Sequence, residues 1–253
     1  MHIHLIAIML LTTAGFSGPA SAQTLDGIRK TTILEDPSDR KNIRGNASIA
    51  IVWGKQIKRP DRYRDFNKAL LNLSNAMNMW TEVYTTGYTR LALESTDISL
   101  FPFVIITTGE KFELTFPEKK NLAAYLENGG FLFCDNVLGT RHSSPVEHSF
   151  KSLMRELFGD RITIDIIPDT HEIFHAFFDF EEGPPKVTLK ENVIINRTQL
   201  QGVWFEERLI AIYSNLGYIV KWSESAENIL PLKMGVNMLI FALTQDGESA
   251  GNE

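Results

Sequence analysis

Phe101-Pro102-Phe103-Val104-Ile105-Ile106-Thr107-Thr108-Gly109 is the stretch from which the fold is read. Its centre is continuously apolar, without the polar alternation of a strand that has one face in water. That pattern belongs to a strand covered on both faces, which is how parallel sheets are buried. Working outward, the same character recurs in Ala47-Ser48-Ile49-Ala50-Ile51-Val52-Trp53-Gly54, in Phe131-Leu132-Phe133-Cys134-Asp135 and in Arg208-Leu209-Ile210-Ala211-Ile212-Tyr213-Ser214. Thr81–Thr86 is a weaker strand, and Arg161–Ile167 is a further one.

Helical spacing fills the gaps. Tyr63, Phe66, Ala69, Leu70, Leu73, Ala76 and Met77 recur on one helical face, with Pro60-Asp61 marking a start. Phe116-Pro117-Glu118 opens another helix, which stops at Asn128-Gly129-Gly130. Further helices are expected over 146–158, over His171–Phe178 as a short aromatic one, and over Leu232–Leu243. Glu181–Gln201, with Gly183-Pro184-Pro185, reads as an irregular excursion. Strands alternating with helices predict a three-layer α/β fold: a mostly parallel sheet with helices on both faces.

The chain of 253 residues divides into four parts. Residues 1–22 lack Asp, Glu, Lys and Arg, contain the apolar run Ile3–Leu11 and end in Ala20-Ser21-Ala22. This is the pattern of a cleaved signal peptide, with an apolar core too short to span a bilayer. It predicts a periplasmic or secreted protein with no membrane span in its mature form. Residues 23–46 read as an extended N-terminal arm, 47–245 as the α/β domain and 246–253 as a disordered tail. The net charge of −6 argues against nucleic-acid binding. The single cysteine, Cys134, excludes an intramolecular disulfide.

In an open parallel sheet the ligand end is the one where the strands finish. The residues that leave the strands there are Gly109 and Glu110, Asp135 and Asn136, His171 beyond Pro168-Asp169-Thr170, and Asn215. They are expected to gather as one ligand-binding rim. Turn chemistry by itself also selects Gly, Asn and Asp at such places. Lys55, Lys58, Arg59, Arg62 and Arg64 form a basic cluster near the first helix, read as a solvated face or a partner contact. Arg141-His142 with Glu147-His148 is a second polar cluster.

His171-Glu172-Ile173-Phe174-His175 matches H-E-x-x-H. On an α-helix that spacing points two imidazoles at one zinc ion, with the Glu acting on its water. No histidine follows His175, so a third imidazole downstream is excluded. A carboxylate from Glu191, Glu206 or Glu207 would have to complete the set. The other reading makes His171 a rim residue followed by a core-packed aromatic turn. Cys134 lies inside an apolar run, without the glycine-flanked elbow of an exposed nucleophile. No P-loop and no G-x-G-x-x-G is present.

An ordered series of motifs resembles the bacterial family called domain of unknown function 4159, over about Ile49 to Leu243. It comprises Phe101-Pro102-Phe103 leading to Thr107-Thr108-Gly109, Tyr125-Leu126-Glu127-Asn128-Gly129-Gly130-Phe131-Leu132 with Asp135, His171 before an aromatic segment, Gln201-Gly202-Val203 leading to Arg208-Leu209, and Gly235-Val236-Asn237. The resemblance implies a flavodoxin-like architecture of the class I glutamine amidotransferase type, and no established activity. The amidotransferase elbow cysteine and its downstream His-Glu pair are missing from this sequence. Thr108-Gly109-Glu110 also departs from the Gly-His-Gly turn expected of relatives. The expectation is therefore an exported, non-catalytic domain that binds a small molecule or an envelope protein and has no resident cofactor. The alternative is a hydrolase, either zinc-dependent through His171 and His175 or amidotransferase-like.

Overall fold

A computed structural model describes residues 32–36, 39–57, 66–139, 143–189, 193–194, 199–225 and 228–245. The expected signal peptide, the tail and most of the basic cluster (residues 58–64) lie outside these, as do Arg141 and His142.

In chain order the strands are β1 (Thr32–Asp36), β2 (Asp39–Trp53), β3 (Glu82–Ala92), β4 (Phe103–Thr108), β5 (Phe131–Asn136), β6 (Ile162–Ile166), β7 (Thr188–Leu189), β8 (Val193–Ile194), β9 (Gln201–Phe205) and β10 (Arg208–Ser214). The α-helices are α1 (Phe66–Trp80), α2 (Phe116–Glu127), α3 (Pro145–Phe158), α4 (Tyr218–Ser223) and α5 (Ile229–Thr244). Eight strands form one sheet in the order β1-β2-β4-β5-β10-β9-β6, with β3 paired to β2 as well. β3, β2, β4, β5 and β10 run parallel to one another.

The mostly parallel sheet that was expected is found in its middle, but the sheet as a whole is mixed. β9 is antiparallel to both β10 and β6, and β1 is antiparallel to β2. The cause at β9 is local. Only Glu206-Glu207 joins it to β10, and Glu206 adopts a positive φ of 57°. So short a connection reverses the chain, whereas a parallel partner needs a long crossover. Part of the expected arm also enters the sheet. Residues 39–46 extend β2, and β1 pairs back onto them.

Alternate residues of the central strands feed two separate hydrophobic layers. Ile49, Phe103, Ile105, Phe131 and Phe133 pack towards α1, α4 and α5. Ala50, Val104, Ile106, Leu132 and Cys134 pack towards α2 and α3. The period of two in side-chain direction explains why these segments read as unbroken apolar runs. Among the described residues no helix is long and apolar enough to cross a membrane.

Candidate functional site

Register decides which polar strand ends meet. Thr107 of β4 is level with Asp135 of β5, and Asp135 is level with Ser214 of β10. One residue further, Thr108 is level with Asn136. Thr107, Asp135 and Ser214 therefore form a row across three adjacent strands. All three are buried, at 1%, 0% and 0% exposure. Having the parity of Phe131 and Phe133, Asp135 faces the layer that holds α4 and α5.

Asp135 is an internal cap. Its Oδ2 accepts a hydrogen bond from the Ile219 amide at 2.9 Å, so the carboxyl sits under the first turn of α4. Burial pushes its pKa up to about 6. The Ile219, Tyr218 and Gly217 amides and the Ser214 hydroxyl oppose that shift only in part. Oδ1 has no partner at hydrogen-bond distance and angle. Asn136 is spent on its own turn, where its Oδ1 accepts from Leu138 N at 3.2 Å. Above this buried row lie the accessible parts of the edge. Glu110 is exposed, Gly109 and Asn215 are half-buried, and Leu138 is 56% exposed. Gly109 lies so close to the Leu138 side chain that a Cβ would stand 2.7 Å from it.

The neighbouring crevice, between β2 and β4, is where the strand order turns back on itself. In doubly wound sheets that is a ligand position. Here Glu118 of α2 occupies it. Its two oxygens accept from the Lys55 and Thr115 amides, each at 2.7 Å, and the residue is 1% exposed. The Gly54 backbone approaches the same carboxylate so closely that a Cβ would lie 2.8 Å from Oε1. The chain's own carboxylate thus fills the place of an anion at this helix start. Sequence reading assigned Glu118 only to a helix opening. The S/T-x-x-E spacing of Thr115 and Glu118 was the available signal.

The structure does not bring His171 to this edge. Its ring packs against Phe241 at 5.6 Å and Trp204 at 6.3 Å between centroids. Phe241 in turn lies 5.7 Å from Phe131, the first residue of β5. Asp135 is four residues further along the same strand, roughly 13 Å away. After β6 the chain folds back over the sheet instead of staying at the strand ends. Asn237 of α5 fastens it there: its Oδ1 accepts from the Phe177 and Phe178 amides, and its Nδ2 donates to the Phe178 carbonyl.

The H-E-x-x-H string does not form the helix that zinc ligation needs. Only Glu172–Phe174 is helical, and it is a single 3-10 turn. His171 precedes it in extended conformation, with Nδ1 accepting from the Ile173 amide at 3.1 Å. His175 follows it and lies 3.4 Å from Asp179 Oδ1. The two rings therefore lack the common α-helical face of that motif. Burial lowers the His171 pKa, while Glu172 opposes this. No group of three or more His, Cys, Asp or Glu side chains among the described residues is placed to hold a metal ion. Cys134 is fully buried on the α2–α3 side, and burial, assisted by Asp135, pushes its thiol well above the ordinary range. A thiol in that state is a poor nucleophile.

Fold and site together define an α/β domain on a mixed sheet, with helices on both faces and a polar edge at the ends of β4, β5 and β10. The chain matches the family described as a domain of unknown function (DUF4159) over residues 49–243, and it belongs to that family. It is similar to a crystal structure of a ThuA-like protein from Bacteroides uniformis ATCC 8492. That likeness covers 80% of this chain and 93% of the other, at 9% sequence identity and a TM-score of 0.44. No curated protein matches the chain.

Proposed function

We propose that this chain is a non-catalytic binding domain of the cell envelope, exported by its N-terminal leader, whose partner contacts the strand-end edge at Glu110, Leu138 and Asn215. The observation that carries this reading is the division of labour at that edge. Its buried polar groups cap and brace the fold, whereas the accessible ones sit on three short exit loops. The candidate nucleophile faces the other side of the sheet, and His171 lies near the strand starts. A small molecule and an envelope protein both fit such an edge. The order β3-β2-β4-β5-β10 supports a flavodoxin-like description of the parallel portion, because it has the 2-1-3-4-5 pattern.

The test is a thermal-shift and calorimetric titration of the mature protein with sugars, peptides and envelope extracts. Glu110→Arg and Leu138→Asp are the comparison variants. A ligand that raises the melting temperature of the wild type and loses at least tenfold in affinity in both variants supports the edge, since an introduced like charge or a desolvated one costs about 1.4 kcal/mol or more. Binding that ignores both substitutions rejects it. Turnover of any hydrolysable member of the panel rejects the non-catalytic reading.

A further inference from the structure

Three oxygens around Asp135 are buried without a hydrogen-bond partner: Thr107 Oγ1, Asp135 Oδ1 and the Tyr218 hydroxyl. Thr107 is the register neighbour of Asp135, and Tyr218 opens the helix that Asp135 caps. Native interiors seldom leave such groups unsatisfied, and a cluster of them invites an explanation.

We propose that Asp135 is a proton-operated latch for α4: its neutral carboxyl keeps the helix seated on the ends of β5 and β10, and its ionisation loosens that seat. The neutral group can still accept from the Ile219 amide through Oδ2. Protonation at Oδ1 takes the charge off the one carboxyl oxygen that no donor meets. The ionised group instead places a full charge at 0% exposure. Burying a charge without a counterion is costly, and local opening to water relieves it.

The groups facing the carboxyl are Thr107 from β4, Ser214 from β10, and the Tyr218 phenol with the Ile219 amide from α4. Cys134 on the same strand and Tyr213 on β10 lie on the opposite face. None of the groups that set its proton affinity is a cation. Burial raises both phenols above their ordinary value, so neither titrates in the range of the latch. The seat of α4 matters for the whole edge. A Cβ on Gly217, its N-cap, would stand 3.5 Å to 3.7 Å from the Val137 and Asn136 carbonyls and the Gly139 amide. α4 also carries Tyr218 and Trp222 against Phe133, at 6.1 Å and 5.8 Å between centroids.

The folded value of about 6 lies above the ordinary 3.8, so this contribution to stability is complete below the ordinary value. It is lost as pH rises through the folded one. For local opening, that difference corresponds to a roughly tenfold increase in the opening constant between about pH 5 and about pH 7.5. Amide exchange of the full chain, corrected for the intrinsic pH dependence of exchange, reads it directly at Ile219–Ser223. The expected result is protection that falls roughly tenfold across that interval in the wild type and stays constant in Asp135→Asn. Constant protection in the wild type, or a fall that survives in Asp135→Asn, overturns the latch. Should that variant not fold, a carboxyl 13C titration of the wild type decides. A midpoint close to 6 supports the latch, and one near the ordinary aspartate value overturns it. No ligand enters either measurement, so the latch stands or falls apart from the binding reading above.

Discussion

Glu118 shows how much one side chain can decide about where a ligand goes. The carboxylate is nearly inaccessible and holds two amides from different parts of the chain, one after β2 and one before α2. Replacing Glu118 by Gln turns one acceptor into a donor pointed at an N–H. The expected cost is about 1–3 kcal/mol, the penalty of an unsatisfied buried group, measured as a lower urea midpoint with unchanged slope. A neutral effect would mean that these amides reach water. Gly130 is a second residue whose identity is fixed by a neighbour. A Cβ there would stand 2.3 Å from the Tyr125 ring. The Tyr125 hydroxyl meanwhile donates to the Phe131 carbonyl and accepts from the Phe131 amide, both at 3.0 Å. Gly130→Ala must displace that ring and both bonds. We expect a loss of about 3 kcal/mol in a denaturant melt, and Tyr125→Phe, which removes only the hydroxyl, to lose about 1 kcal/mol.

At the scale of elements, the segment 171–180 depends on α5 more than on its own short turn. Asn237 supplies three hydrogen bonds to the backbone of Phe177 and Phe178. Asn237→Ala should destabilise the protein by about 3 kcal/mol and expose the segment to proteolysis well before global unfolding. Cleavage no faster than in the wild type would contradict this. The same segment marks the limit of what sequence could tell. β4, β5 and β10 were legible because burial on both faces writes itself as a continuous apolar run. Their polar exits, Gly109, Glu110, Asp135, Asn136 and Asn215, follow from that reading. His171 does not, since periodicity says where β6 ends and nothing about the chain's course after Pro168. β9 was missed because Gly202 interrupts its pattern, and that glycine is there because Trp204 and Leu209 occupy the Cβ position. α4 has only six residues, too few to display a helical period. Residues 39–46 are mostly polar because β2 is largely exposed there, with Arg44 paired to Glu82 at the surface, and Ile43 is the residue that enters the core.

For the whole molecule, the decisive feature is that one sheet belongs to two cores. Phe131 and Phe133 serve the α1–α4–α5 layer, while Leu132 and Cys134, between and beside them, serve the α2–α3 layer. Neither layer can melt without stripping half the contacts from the same strands, so unfolding should be a single transition. Leu73→Ala in α1 and Phe150→Ala in α3 test this from opposite faces. Both residues are fully buried, and each truncation should cost about 3–4 kcal/mol. Being on opposite sides of the sheet with no shared contacts, the two losses should add in the double variant. Tryptophan emission, which reports Trp222 among others, and far-ultraviolet dichroism should show coincident curves in every variant. Non-coincident curves in Phe150→Ala, with the α1 side still folded, would separate the faces into independent units.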